Sequence, residues 1–156
     1  METKTILRAE PIVKKLHAAF CRDESRDALL QLAASEIRKV GAPYTSVYMY
    51  MLDDTGETLV LEAFEGRETD HTEIPIGRGL CGKAIVEQRD LNVSDVRAEA
   101  EYLACNVATR AELIVLIRRH DRILGQIDID SDVANGFDER EEVALREVAD
   151  ALAALL

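Results

Sequence analysis

The sequence predicts an α+β fold in which an antiparallel sheet of about six strands is packed by helices from both ends of the chain. Apolar side chains repeat at the helical interval near both termini. Between these two regions apolar side chains recur at every second position, and short turns join neighbouring apolar runs. This pattern favours antiparallel strands. We interpret the 156 residues as one domain, with a helical segment at residues 1–41, a sheet with its loops at residues 42–131 and a C-terminal helix at residues 137–156.

Composition and charge exclude several classes of protein. The apolar fraction of 47% and the charged fraction of 31% are typical of a globular chain. A formal net charge of −11 disfavours nucleic-acid binding, which needs clustered Lys and Arg. No apolar run has the length of a membrane span, and the N-terminus does not resemble a secretory signal. We therefore expect a cytoplasmic protein that binds neither nucleic acid nor membrane.

Two amphipathic helices are predicted before the first strand. The first covers residues 1 to about 22, and Pro11 suits a first helical turn. The second runs from about Ser25 to Val40, and Gly41 is a natural stop. Amphipathic helices at the ends of a domain either pack on its core or form a dimer interface.

Residues 45–64 predict a β-hairpin whose turn, DDTGE, contains Gly56 for a positive φ. On the first strand an aliphatic face alternates with a face that carries Tyr48 and Tyr50. These two phenols point either to solvent or to a ligand.

The segment IPIGRGLCG, residues 74–82, is rich in glycine. Pro75 places its start at an edge strand or a strand end. The glycines around Cys81 indicate a close approach of the backbone to another group, with a helix from near Cys81 to about Gln88. The spacings of phosphate-binding and dinucleotide-binding loops are absent. Oriented amides at this helix N-terminus would stabilise a thiolate at Cys81.

The remainder of the chain adds a cysteine and three acidic residues. DLNVSDV predicts a short strand and turn. AEAEYLACNVATR predicts an irregular or short-helical segment, which places Cys105 in a loop over the sheet. AELIVLI and RILGQIDID predict an antiparallel pair, and Glu112 opens its first strand. Asp128 and Asp130 share one face of the second strand, opposite two isoleucines that face the core. Such a face is either solvated or part of a pocket.

A final helix is predicted after Asp138, which forms a capping box with Glu141. Its apolar stripe comprises Leu145, Val148, Ala149, Leu152 and Leu156.

Together these motifs resemble those of GAF domains. The resemblance rests on IPIGRGLCG, VSDVR, YLACN, the Glu of RAELIV, GQIDIDS and FDERE. It follows the element order of the whole chain and is specific from about Ile74 to Glu141. It implies a GAF-like fold that binds a small molecule, or a sensory and dimerising module. A homodimer is expected from the habit of the family and from the amphipathic ends.

A narrower resemblance is to the stand-alone GAF enzymes that reduce free methionine-R-sulfoxide. Cys105 in LACN matches their catalytic cysteine, and Cys81 matches the cysteine of their glycine-rich motif. Glu112 matches the Glu of their SEIV motif, and Asp128 and Asp130 match the aspartates of their DIDS motif. The resemblance implies a Cys105 nucleophile, a resolving Cys81, a thioredoxin-like reductant and no cofactor.

The chain departs from these enzymes at several positions. His71 stands where many of them have a third cysteine, Asn106 replaces an Asp, Leu116 replaces a Pro, and no Trp is present. We expect His71 and Tyr50 to join the acidic residues in substrate binding.

Sulfoxide reduction needs a thiolate that attacks sulfur and an acid that protonates the departing oxygen. Crowding of Glu112, Asp128 and Asp130 would raise one of their pKa values by mutual repulsion, and the remaining carboxylates would bind a substrate ammonium. The alternative is a non-catalytic sensory module with a small molecule, or a metal, in the same pocket. The donor types suit zinc or iron, but their spacing shows no ligand signature, so no metal site is predicted.

Overall fold

A computed structural model of the protein describes residues 6–99 and 108–156. Its α-helices are α1 (Ala9–Cys21), α2 (Arg26–Arg38), α3 (Gly79–Glu87) and α4 (Glu139–Leu155). Its strands are β1 (Ser46–Leu52), β2 (Thr58–Glu65), β3 (Glu73–Pro75), β4 (Leu91–Val93), β5 (Ala111–Arg119) and β6 (Arg122–Ser131). The strands form one sheet of six in the order β3-β2-β1-β6-β5-β4, with every neighbouring pair antiparallel. The predicted α+β class is confirmed.

Helix α1 begins later than predicted. It starts at Ala9, after an extended Arg8 with φ −114° and ψ 119°. Proline has no N–H and is tolerated in the first turn but not in a helix interior. A helix from residue 1 would bury Pro11 in its interior, whereas a start at Ala9 leaves it in the first turn. Helix α2 begins as expected after Ser25, whose hydroxyl accepts a hydrogen bond from the N–H of Ala28 at 3.2 Å.

Apolar side chains cover both faces of the sheet. On one face the aliphatic residues of β1, β5 and β6 pack against α1, α2 and α4. On the other face Tyr48 and Tyr50 join Ile114 of β5 and the helix α3. The two tyrosines are 1% and 0% exposed, so the alternative in which they face solvent is wrong. Their hydroxyls instead donate to the backbone carbonyls of Arg67 at 2.6 Å and His71 at 2.7 Å.

Helix α4 has the predicted capping box. The Asp138 carboxylate accepts hydrogen bonds from the N–H groups of Arg140 and Glu141, and the Glu141 carboxylate accepts one from the N–H of Asp138 at 3.1 Å. The hydroxyl of Tyr44 also donates to Glu141 at 3.2 Å, which ties the start of α4 to the chain before β1. Within the described residues, no helix combines the length and apolar character that a bilayer crossing requires.

Candidate functional site

The register of the two longest strands gathers three acidic side chains. Glu112 of β5 is the direct partner of Asp130 on β6, and Asp128 lies one pair further along the same face. The face of the sheet that bears them is covered, because Glu112 and Asp130 are each only 4% exposed and Asp128 is 1% exposed. The solvated alternative for this face is therefore wrong. Three carboxyl groups therefore lie close together on one buried face of the sheet.

Helix α3 places Cys81 against this acidic group. Cys81 is the third residue of the helix, and its thiol donates to Oδ2 of Asp128 at 3.3 Å. The side-chain amide of Gln126 donates to the backbone carbonyl of Cys81 at 3.0 Å, so β6 contacts both the side chain and the main chain of this residue.

The close backbone approach predicted from the glycines is also found. A Cβ on Gly82 would lie 2.7 Å from the backbone nitrogen of Gly77 and 2.9 Å from the carbonyl oxygen of Pro75. Real Cβ atoms do not occur at such distances, so only glycine lets α3 fold back onto the turn that precedes it. This packing fixes the position of Cys81 over the sheet.

A small cavity lies where the thiol and the carboxyl groups meet. Its wall includes Cys81, Glu112 and Asp128, and its volume is about 10 Å³, which is room for about one water molecule. The other described residues that line it are Ile74, Arg78, Gly79 and Leu80. A much larger depression of about 650 Å³ lies beside the β1–β2 turn, but it contains none of the predicted site residues. We place the candidate site at the small cavity, because the reactive groups converge there.

Burial governs the protonation of the three carboxyl groups. Loss of solvation raises the pKa of Glu112 well above its usual range, and repulsion from Asp128 and Asp130 adds to this rise. Desolvation, followed by repulsion from Asp128, likewise raises the pKa of Asp130 well above its usual range. The pKa of Asp128 is also raised by burial, against hydrogen bonds from Glu112 and Cys81 that lower it. Mutual repulsion, which the sequence predicted as the cause, is thus secondary to desolvation.

The prediction of a stabilised thiolate at Cys81 is wrong. Burial raises the pKa of the Cys81 thiol well above its usual value, and the negative charges of Asp128 and Glu112 raise it further. The amides of the first turn of α3 favour the anion, but their effect is smaller than the combined cost of desolvation and nearby carboxylates. Cys81 is therefore a protonated hydrogen-bond donor in this structure.

Three other residues, Cys105, Tyr50 and His71, were also predicted to belong to the site. Cys105 lies outside the described residues, so its position relative to Cys81 stays a prediction. Tyr50 lies opposite Gln126 in the sheet, and its hydroxyl contacts the backbone of His71. Neither Tyr50 nor His71 is among the residues that line the cavity. Sequence reasoning missed Gln126 as a site residue, although it shares the alternation that identified the two aspartates.

The same cluster contains potential metal ligands. One donor atom from each of Cys81, Glu112 and Asp128 lies within 4.8 Å of the other two. Within the part of the chain that is described, these side chains are all buried.

Comparisons with known proteins relate this arrangement to one family. The GAF domain family model matches residues 23–156. Protein YtsP of Bacillus subtilis is 34% identical over 125 residues, which cover 80% of this chain and 72% of YtsP. The free methionine-R-sulfoxide reductase of Escherichia coli is 34% identical over 99 residues, which cover 64% of this chain and 58% of that protein. The match thus spans little more than half of the Escherichia coli enzyme.

A solved structure extends the similarity to three dimensions. The type II free methionine-R-sulfoxide reductase from Thermoplasma acidophilum superimposes with a TM-score of 0.79 at 36% sequence identity. The superposition covers 83% of this chain and 91% of that one.

Proposed function

The chain belongs to the GAF domain family, and we propose that it reduces free methionine-R-sulfoxide or a related small sulfoxide by thiol chemistry. The observation that carries the proposal is the contact of the Cys81 thiol with Asp128 beside two further buried carboxyl groups. The names of the Escherichia coli and Thermoplasma acidophilum proteins support the substrate class.

In the first step Cys105 is the proposed nucleophile, by its match to the catalytic motif. As a thiolate, its sulfur attacks the sulfoxide sulfur. The transient sulfur–sulfur bond and the sulfur–oxygen bond of the substrate then break as the oxygen passes to Cys105, which becomes a sulfenic acid while methionine leaves. The departing oxygen needs a proton. Glu112 is the proposed donor, because burial keeps its carboxyl group protonated at a pH where an exposed glutamate is ionised.

The volume of the cavity suggests which part of the substrate enters it. Room for about one water molecule is also room for one sulfoxide oxygen, next to the Glu112 carboxyl group. Asp130 has one carboxyl oxygen, Oδ1, without a hydrogen-bond partner among the described residues. We assign to it the substrate ammonium, which would give this oxygen a donor and would favour the ionised form of a carboxyl group whose pKa is raised by burial.

In the second step Cys81 is the proposed resolving thiol. Its sulfur attacks the sulfenic sulfur of Cys105, a disulfide forms, and the hydroxyl group leaves as water. The hydrogen bond from Cys81 to Oδ2 of Asp128 gives the thiol proton a destination as the sulfur–sulfur bond forms, and Asp128 returns this proton to the departing hydroxyl group. A high thiol pKa is compatible with this role, because the resolving thiol needs to be deprotonated only during attack. A thioredoxin-like dithiol would then reduce the disulfide.

A single-turnover experiment tests this proposal. Reduced protein is mixed with one equivalent of methionine-R-sulfoxide without reductant, and its cysteines are mapped by mass spectrometry. We expect methionine release together with a Cys81–Cys105 disulfide. Intact thiols and unchanged sulfoxide would exclude the thiol mechanism.

Three single variants separate the roles of the cysteines. Cys105→Ser should release no methionine, and Cys81→Ser should release up to one equivalent without forming the disulfide. Cys21→Ser is the matched control, since Cys21 is exposed at the end of α1 and should not affect turnover. Equal turnover of all three variants would exclude Cys105 as the nucleophile and Cys81 as the resolving thiol.

The second candidate is a non-catalytic GAF module that binds a small molecule in the same pocket. The observation that favours it is the burial of Cys81 together with the hydrogen bond of its thiol to Asp128, since a buried, protonated thiol is a weak nucleophile. This alternative requires saturable binding without consumption of the ligand and tolerance of Cys105→Ala. Steady turnover of any sulfoxide would exclude it. For either candidate we propose a homodimer, which sedimentation of the purified protein would test.

A further inference from the structure

We propose that the reduced protein binds one Zn²⁺ ion through the sulfur of Cys81 and the carboxylates of Glu112 and Asp128. This site shares residues with the proposed reductase centre but does not depend on sulfoxide chemistry. The cysteine and the two acids come from α3, β5 and β6, so the site exists only in the folded chain.

The distances between the donor atoms fit a tetrahedral ion. Typical Zn–S and Zn–O bonds of about 2.3 and 2.0 Å place a sulfur and an oxygen ligand about 3.5 Å apart. The sulfur of Cys81 and Oδ2 of Asp128 are already 3.3 Å apart. All donor pairs lie within 4.8 Å, so the Glu112 carboxylate would move by about 1.5 Å at most to complete the ligand set.

A second observation points to a missing ligand. Oδ1 of Asp128 and Oδ1 of Asp130 are buried and have no hydrogen-bond partner among the described residues. Folded proteins leave few buried polar atoms in this state, and each one calls for a partner such as an ion. Asp128 lines the cavity and is 1% exposed. A cation held by both oxygens of the Asp128 carboxylate would supply the missing partner of its Oδ1.

Local charges leave room for a cation. The positive charge of Arg67 acts on Asp130, but its Nη1 and Nη2 atoms donate to the two carboxylate oxygens of Asp132 at 2.6 Å. Among the described residues that line the cavity, Arg78 is the only basic one. Three deprotonated ligands carry three negative charges, of which Zn²⁺ balances two. The ion would displace the protons that the thiol and the carboxyl groups hold in its absence.

The donor set selects the class of ion. A thiolate disfavours Mg²⁺ and Ca²⁺, which prefer oxygen ligands alone. Zn²⁺ accepts sulfur and carboxylate together, and three protein ligands leave a fourth position for water. Oxidation of Cys81 by any route removes the sulfur ligand, so the site belongs to the reduced protein.

The test uses Co²⁺ as a spectroscopic substitute for Zn²⁺, with reduced protein and no sulfoxide. We expect one equivalent to bind with a thiolate-to-cobalt charge-transfer band, and one equivalent of Zn²⁺ to displace it. Cys21→Ser should keep the band and Cys81→Ser should lose it. Glu112→Gln should weaken binding by at least about tenfold, the lower end of what changes around a metal site cost.

A measurement on the wild-type protein tests the site even if the Cys81→Ser variant does not fold. Alkylation of the wild-type protein, read residue by residue by mass spectrometry, should show Zn²⁺-dependent protection of Cys81 but not of exposed Cys21. Absence of the band in wild type, its persistence in a folded Cys81→Ser variant, or its loss in Cys21→Ser would each overturn the proposal. Reductase activity is measured separately on metal-free protein. If Co²⁺ binds but no sulfoxide is reduced, the proposed metal site stands and the proposed reductase function fails. If sulfoxide is reduced but Co²⁺ does not bind, only the proposed metal site is overturned.

Discussion

The thiol of Cys81 lies 3.3 Å from the Asp128 carboxylate, although 47 positions separate the two residues in the chain. The contact joins the first turn of α3 to the central strand β6, and both residues are buried. A protonated thiol that donates to a carboxylate is a weak nucleophile until its proton is transferred. This geometry therefore favours Cys81 as the second thiol to react, and Asp128 as the group that receives its proton.

Glu112→Gln tests the proposed proton donor. Glutamine keeps the size and the hydrogen-bonding capacity of the side chain but supplies no acidic proton, so we expect kcat for methionine formation to fall by about 100-fold or more. Activity is measured as methionine release with an excess of a dithiol. Glu57→Gln, at an exposed position of the β1–β2 turn, is the control and should match wild type. A kcat within twofold of wild type would rule out Glu112 as the donor.

The same variant gives a prediction for the dependence of stability on pH. Burial raises the pKa of Glu112 in the folded state, whereas the unfolded value is about 4.3. Between these two values the folded protein holds a proton that the unfolded chain has released, so the contribution of Glu112 to stability is complete below about pH 4.3 and is lost as the pH rises.

Glutamine does not titrate, so the stability of Glu112→Gln relative to wild type should increase with pH. The slope should approach about 1.4 kcal/mol per pH unit for one proton. Urea unfolding at a series of pH values between 4 and 8, with chelator present to keep the protein metal-free, provides the measurement. A difference in free energy of unfolding that stays constant over this range would contradict a raised pKa at Glu112.

Gly82→Ala tests the packing that positions Cys81. The added methyl group would lie 2.7 Å from the backbone of Gly77, and backbone atoms cannot move aside as a flexible side chain can. We expect a loss of about 1–3 kcal/mol in the free energy of unfolding, accompanied by lower activity as Cys81 shifts. Val86→Ala, on the same helix at a position 60% exposed, should change stability by less than about 0.5 kcal/mol. Equal stabilities of the two variants would mean that α3 is not held by this contact.

Tyr50→Phe tests whether Tyr50 and His71 act in substrate binding. Loss of the hydroxyl removes the 2.7 Å hydrogen bond to the backbone of His71, and we expect about 1 kcal/mol of lost stability together with a higher KM. Tyr48→Phe is a matched control, because it removes a similar bond to the backbone of Arg67 at 2.6 Å. If the two variants have the same KM, the assignment of Tyr50 and His71 to the substrate site fails.

Local sequence signals predicted most of the elements and some of their ends. The capping box of Asp138 and Glu141 and the stop after α2 are set by residues a few positions apart, which a sequence displays directly. The start of α1 was predicted too early, although Pro11 contained the information that corrects it. Glycine spacing around Cys81 predicted a close backbone contact, and the contact at Gly82 confirmed it.

By itself the sequence determined that Asp128 and Asp130 share one face of a strand, because side chains alternate along any extended chain. Only the tertiary structure decided that this face is buried, that Glu112 is the direct partner of Asp130, and that Cys81 contacts Asp128. The alternation of residue types along a strand predicts to which side of that strand each side chain points. It does not predict which other segments pack on that side. The protonation of Cys81 shows the difference, since its position in the first turn of a helix predicts a thiolate, whereas desolvation and carboxylates from distant segments keep the thiol protonated.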